Sequence, residues 1–405
     1  MTTLLRTSLI GLALAGTTAL PAMAADISWI YCGDSIDPAH EKYIAEWNAA
    51  NPDYPVKPEL VGWAQCQDKA TTLAAAGSPV GLAYVGSRTL KEFAENELIV
   101  PVPMTDEEKA GYYPNIVETV TFDDTQWGVP IAFSTKALYW NKDLFREAGL
   151  DPEKPPTTWA EEIEFAKIIK EKTGKPGYGL SAKTFDNTMH QFLHWVYTND
   201  GKIIDENDNI VMDSPQVLAA LQAYKDITPY SVEGATAYEQ NEMRAIFLDA
   251  QVAMLQAAVS TAYRLQDTGI DWGVADLPLG PDAKGKGTLM ITDSLVVFAD
   301  TGIEEKATEF AKYITQPSIQ EEYEGGGLAG LTPLRPSAAV DAMVAANPYW
   351  QPFIDGIEFG GPEPLFTDYR GFQNTMIEMV QSVVTGSAEP QAALTRAAAA
   401  LEDYK

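Results

Sequence analysis

The chain has 405 residues, with 28 Lys and Arg against 57 Asp and Glu, and a formal net charge of −29. That balance excludes nucleic acid as a partner, because affinity for phosphate backbones rests on basic side chains that displace counterions. With 46% hydrophobic and 21% charged residues the composition is that of a folded protein rather than a disordered one, and the length suits two or three lobes.

Met1 to Ala24 carry one arginine, Arg6, then the apolar run from Leu9 to Ala15, then Ala22-Met23-Ala24. This is the layout of a secretory signal peptide with a small-x-small cleavage site, so the mature protein is expected to start near Ala25. An uncleaved anchor is the alternative, but the run is well short of the ~20 residues that span a bilayer. Loss of Arg6 leaves 27 basic against 57 acidic side chains, or −30. There is no cysteine at the cleavage point, so a free periplasmic protein is expected rather than a lipoprotein. Cys32 and Cys66 are the only two cysteines. In an oxidising compartment an isolated pair more often forms a disulfide than a metal site or a nucleophile.

Asp26 to Cys32 predicts a strand, about Pro38 to Asn48 a helix, and Asn51 to Pro55 a turn. A second strand over Val56–Val61, a helix over Gln67–Ala76, a buried strand over Val80–Val85 and a helix over Thr89–Asn96 follow. Strands alternating with helices of about ten residues imply βαβ units around a parallel sheet, where ligands bind outside the carboxyl ends of the strands. Gly33-Asp34, Gly62-Trp63-Ala64-Gln65 and Gly86-Ser87-Arg88 occupy those ends. Strands one and two are expected to be neighbours, which brings Cys32 and Cys66 within disulfide reach. Further on, Asn141 starts a helix that Gly149 ends, and Thr157 or Thr158 caps the next.

Several motifs reduce to plain readings. Gly280 to Gly287 approximates a phosphate-binding loop but has Gly287 in place of the required hydroxyl and no strand leading in. Gly325 to Gly330 fits G-x-G-x-x-G, yet it follows a helical stretch, and it reads as a helix cap and hinge. Asp205 to Asn209 lacks the glycine and glutamate of a calcium loop and reads as a polar hairpin turn. His190 and His194 share a helix face at i,i+4 and form the alternative of a metal site, with His40 the only other histidine. No nucleophile elbow or HExxH motif appears. The enzyme alternative is a glycosidase, which needs only two facing carboxylates.

Trp127 to Pro152, with Pro155-Pro156-Thr157-Thr158-Trp159, resembles family 1 of the extracellular solute-binding proteins, the carbohydrate receptors of ABC importers. Leu73 to Val102, Phe247 to Met254, Trp272 to Pro281 and Val383 to Gly386 extend the likeness over nearly the whole mature chain. The resemblance implies an α/β fold of two lobes, each a mainly parallel sheet flanked by helices, joined by a multi-strand hinge. It puts crossings near Pro130–Ser134, Leu289–Asp293 and Gly330–Pro333. Residues 25–132 with about 291–330 would form the first lobe, and 133–290 with about 331–405 the second. A non-catalytic, cofactor-free monomer is implied, which captures a small carbohydrate and delivers it to ABC permease subunits in the inner membrane.

A sugar offers apolar C–H faces and a rim of hydroxyls, so its site needs aromatic platforms and planar polar groups. Ligand positions carried over by resemblance are Asp34, Trp63, Gln65, Ser87 and Arg88 from the first lobe. Ser134, Asn187, His190, Ser260, Tyr369 and Arg370 come from the second, with Thr292 and Asp293 at a crossing. Trp63 is the platform candidate, whereas Trp29, Trp140 and Trp195 are expected to be core. Two departures stand out. Gly81 replaces the family's usual aspartate, and Ala257 to Ser260 lacks its usual tryptophan, which suits a monosaccharide, disaccharide, polyol or glycoside rather than a long maltodextrin.

Overall fold

The computed structural model describes residues 25–33, 35–77, 80–325 and 331–405. The proposed signal peptide, Asp34 and most of the Gly325–Gly330 segment therefore lie outside the described residues. No helix among the described residues is long and apolar enough to cross a membrane.

The strands in chain order are β1 (Ile27–Cys32), β2 (Val56–Val61), β3 (Leu82–Gly86), β4 (Ile99–Val100), β5 (Thr121–Phe122), β6 (Thr125–Gln126), β7 (Val129–Ser134), β8 (Ala137–Asn141), β9 (Met254–Ala257), β10 (Trp272–Ala275), β11 (Thr288–Phe298) and β12 (Gly360–Pro362). The main sheet has the order β12-β11-β3-β1-β2, with β4 and β7 also paired to β11. β1 is parallel to both β2 and β3, the pattern of βαβ units, and the helices Pro38–Ala50 and Trp63–Ala75 make the connections. Asp37 accepts from Ala39 N ahead of Pro38, which fixes the first helix start.

The second sheet, β10-β8-β9, is antiparallel throughout. This corrects the expectation of a mainly parallel sheet in each lobe. The parallel rule governs consecutive βαβ units, whereas β9 and β10 reach β8 only after more than a hundred intervening residues, and nothing in such a connection fixes strand direction.

Apolar side chains separate into cores on either side of the crossing strands. One collects Trp29, Tyr84, Phe93, Phe133, Phe298 and Phe310, and another collects Trp140, Trp159, Trp195, Tyr224, Met376 and Leu401. Tyr139, Phe247, Leu255 and Trp350 form a third beside the latter. Trp29, Trp140 and Trp195 are buried, as their place in these cores requires. β11 spans the divide: Leu289 packs into the Trp195 core and Leu295 to Phe298 into the Trp29 core. The β7 pairing shifts register between Asp293 and Ser294, so a bulge sits in the crossing strand itself. The segment after the undescribed stretch runs alongside, with Thr332 N donating to Phe133 O at 3.0 Å.

Local chemistry explains several details. Asn141 caps the helix Lys142–Ala148 by accepting from Leu144 N, and Gly149, at φ +81°, ends it in the left-handed region that disfavours side chains. Thr158 caps Trp159–Thr173. A Cβ at Gly81 would meet Ile303 at 3.1 Å and Ile27 at 3.2 Å, so packing accounts for the missing side chain there. Asp205 Oδ1 accepts from Asn207 N and Asn209 N, and Ile204 bridges Ile210, which makes the expected hairpin turn. Cys32 and Cys66 form a disulfide with a Cα–Cα distance of 5.6 Å.

Candidate functional site

The carboxyl end of β3 leads into Ser87 and Arg88, and Arg88 is the centre of the seam between the lobes. Its Nη2 lies 3.1 Å from Asp186 Oδ2, its Nη1 3.6 Å from Asp293 Oδ1 and its Nε 3.8 Å from Glu363 Oε1. The side chain is only 11% exposed, and its Nη1 has no hydrogen-bond partner. Asp186 opens the helix Asp186–Tyr197, Asp293 lies at the bulge in β11, and Glu363 follows β12. Three carboxylates from widely separated parts of the chain thus converge on one guanidinium. A planar fork with five donors suits this, where a lysine would not.

Two of the acids, Glu363 and Asp293, are anchored again. Glu363 Oε1 lies 2.9 Å from His190 Nε2 and accepts from the Tyr369 hydroxyl. Tyr84 donates its hydroxyl to Asp293 Oδ2 at 2.9 Å. Burial pushes the Glu363 carboxyl up, but the neighbouring His190 and Arg88 charges and the hydrogen bonds outweigh it and hold the group below the usual carboxylate range. For Asp293 burial prevails over Arg88, and its pKa rises. Lys136, with Ser134 Oγ at 3.2 Å, is pushed down to about 8 by burial and by Arg244. The rim is bridged as well: Thr367 Oγ1 donates to Glu95 Oε2 at 2.8 Å, Lys91 lies 3.7 Å from Asp208, and Arg370 pairs with Asp68.

Of the residues singled out in the sequence, Arg88, Asp293, His190 and Tyr369 are brought into this one network. Ser87 Oγ hydrogen-bonds Ser294 Oγ at 2.6 Å beside it, and Ser134 holds Lys136. Thr292 projects from the opposite face of β11 to Asp293 and leaves its hydroxyl buried without a partner. Trp63 is 45% exposed and stands edge-on to Tyr84 at 5.3 Å. Trp63 and Gln65 lie in the first turn of a helix rather than in the expected loop; Gly62 begins that helix without a side-chain cap, which left no start signal to read. Asn187 and Ser260 sit in first turns of helices at intermediate burial, outside the Arg88 network. Arg370 is exposed, and its ion pair with Asp68 holds it at the rim. Tyr84, Lys136, Asp186 and Glu363 were missed.

A cleft of about 570 Å³ opens beside the network, lined by Ser87, Arg88, Tyr197, Met290, Thr292 and Glu363 among others. For metal binding the two adjacent histidines are poorly placed. His190 faces Glu363, whereas His194 Nδ1 accepts from Leu289 N at 3.0 Å and contacts Thr288. Among the described residues no group of three or more His, Cys, Asp or Glu side chains is arranged to hold a metal ion.

A family model described as bacterial extracellular solute-binding protein matches residues 33–321. The chain belongs to that family. It is 26% identical over 370 residues to a Brucella abortus protein named as a binding protein, covering 89% of this chain and 88% of the relative. It is also 30% identical over 223 residues to the sn-glycerol-3-phosphate-binding periplasmic protein of Brucella abortus, covering 53% of this chain and 51% of that one. Among solved structures, a maltose-bound protein from T. maritima superposes with a TM-score of 0.81 at 22% identity, covering 93% of this chain and 99% of the other. A Thermotoga lettingae ABC transporter solute-binding protein bound with alpha-D-tagatose gives 0.82 at 24% identity over 93% and 99%. These likenesses establish the two-lobed fold of a solute-binding protein.

Proposed function

We propose that this protein captures a sugar or polyol between its two lobes in the periplasm and delivers it to the permease subunits of an ABC importer, without chemistry of its own. The observation that carries the reading is the Arg88 network: one buried guanidinium from the first lobe meets Asp186 and Glu363 across the seam and Asp293 on the crossing strand beside it, and its Nη1 has no hydrogen-bond partner. Fixed donors and acceptors at the seam, with the half-exposed Trp63 as an aromatic surface, match what a polyhydroxylated ligand needs. Relatives support the class: solved structures of this fold carry maltose, tagatose and ribitol. The lobes are proposed to be residues 25–132 with about 291–330, and 133–290 with about 331–405. Between them Ser87, Arg88, Ser134, His190, Thr292, Asp293 and Tyr369 form the inner shell. Trp63, Gln65, Asn187, Ser260 and Arg370 complete the outer one, and Asp34 is proposed as a ligand residue from the sequence alone. Contacts to both lobes stabilise the closed state, so ligand shifts the population toward it.

Thermal-shift screening against neutral sugars and sugar alcohols tests this. A ligand that binds only the native state stabilises by RT ln(1 + [L]/Kd), about 2.7 kcal/mol at a hundredfold excess over Kd. Silence across the panel with a response to zinc or an amino acid would overturn the reading, and release of reducing ends from oligosaccharides would favour a glycosidase.

A further inference from the structure

We propose that the cleft beside Arg88 is a separate ligand compartment that takes the uncharged, apolar aglycone of a glycoside, and that it rejects phosphate esters. This rests on the sugar-receptor reading above and specifies its ligand.

The compartment lies on the other face of the crossing strand from the Asp293 side of the seam. Successive residues of a strand point to opposite faces, and the lining includes Met290 and Thr292 but not Asp293, Lys136 or Trp63. Arg88 and Glu363 line it and also belong to the network, so their contact forms the partition between the two sides. At about 570 Å³ the space falls within the roughly 300 to 1,000 Å³ of sites for drug-sized ligands.

Its walls set the chemistry. Ile203, Ile204, Met290, Phe359, Pro362 and Leu365 supply an apolar lining. Thr292 is 4% exposed and its Oγ1 is unpartnered, which is costly unless a bound group supplies the hydrogen bond. That hydroxyl suits a glycosidic or ring oxygen at the junction of the two compartments. The charged lining is five acids (Glu118, Asp200, Glu206, Asp208, Glu363) against three cations (Arg88, Lys202, Lys286). Lys286 is engaged with Asp276 at 2.8 Å, Asp208 is bridged by Lys91, and Arg88 faces three carboxylates. A phosphate dianion would enter a field whose net sign is its own, five acids against three cations. The relative that binds sn-glycerol 3-phosphate thus provides a discriminating probe.

The test measures affinities of glucose, galactose, mannose and xylose as methyl and phenyl glycosides, with glycerol and sn-glycerol 3-phosphate alongside, by calorimetry. For a sugar that binds, the phenyl glycoside is expected to bind at least about tenfold more tightly than the methyl one, a difference of about 1.4 kcal/mol. Ile204→Trp, which fills the compartment, should remove that advantage while leaving the methyl glycoside within about twofold of wild type. If Ile204→Trp lowers the melting temperature, Leu365→Trp repeats the measurement from another part of the wall. Equal or weaker binding of phenyl glycosides, or tighter binding of sn-glycerol 3-phosphate than of glycerol, overturns the proposal while leaving the sugar reading intact. Failure of every sugar and glycoside to bind removes both.

Discussion

Arg88 Nε lies 3.8 Å from Glu363 Oε1, and the same carboxylate oxygen lies 2.9 Å from His190 Nε2. A cation from the first lobe is thereby tied to an acid that is itself held on a helix of the second. The pair is buried, and there removal of one partner leaves the other charge uncompensated.

Arg88→Ala is therefore expected to weaken sugar binding by at least about tenfold, because it strands Asp186, Asp293 and Glu363 at the seam and removes the donor proposed to meet the ligand. Calorimetry measures it, with small-angle scattering to show whether ligand still compacts the protein. Arg88→Lys should not restore affinity, since a single ammonium cannot satisfy three acids arranged around a planar fork. Wild-type affinity in Arg88→Lys would show that the charge alone matters.

The rim behaves differently. Trp63→Ala removes a half-exposed ring that packs edge-on against Tyr84, so the unliganded fold should keep its melting temperature while sugar affinity falls by about tenfold. Arg370→Ala breaks an ion pair with Asp68 in which both side chains are more than half exposed, and such pairs contribute little. Its effect on affinity should stay below about threefold and shrink further at 0.5 M salt. A larger loss in Arg370→Ala than in Trp63→Ala would place Arg370 directly on the ligand.

How much of this was readable differs between fold and site. Elements with a local start or stop, such as Asp37-Pro38, Asn141 to Gly149 and Thr158, were legible because a cap or a left-handed glycine is a property of a few adjacent residues. The helix at Trp63 was placed late because Gly62 caps it without a side chain. Arg88 was legible from its place after a buried strand. Glu363 was not, because it lies in Gly360-Gly361-Pro362-Glu363-Pro364, a segment with no catalytic or ligand pattern, and meets Arg88 only through the return of the chain 275 residues later. Asp186 was passed over beside Asn187 because helix phase, which sequence leaves loose at a first turn, decides which of the two faces the seam.

The disulfide gives a stability prediction. Cys32 ends β1 and Cys66 lies in the first turn of the helix after β2, 34 residues on, so the bond closes one parallel βαβ unit. In the chain-entropy treatment a loop of that length contributes about 3 to 4 kcal/mol by restricting the unfolded chain. Cys66→Ser should lower the denaturant midpoint accordingly with little change in far-ultraviolet circular dichroism. Two titratable thiols in protein purified from the periplasm would show that the bond is absent in the cell.

Glu162 offers the sharpest pH prediction. It is fully buried in the helix Trp159–Thr173, neither carboxylate oxygen has a partner, and burial pushes its pKa from 4.5 up to about 8. The folded protein therefore binds a proton here that the unfolded chain releases between about pH 4.5 and pH 8. Where the native state holds the extra proton, stability falls as pH rises, so this group is neutral toward folding below pH 4.5 and destabilising above pH 8. Glu162→Gln keeps the shape and removes the titration. Near pH 5 the variant and wild type should melt within about 1 °C of each other. By pH 9 the variant should be the more stable by about 1 kcal/mol or more, which corresponds to roughly 2 to 4 °C for a large domain. Calorimetric scans at pH 5, 7 and 9 decide it: a gap that stays constant across the three, or a wild type that gains on the variant as pH rises, means that Glu162 does not carry its proton in the folded core.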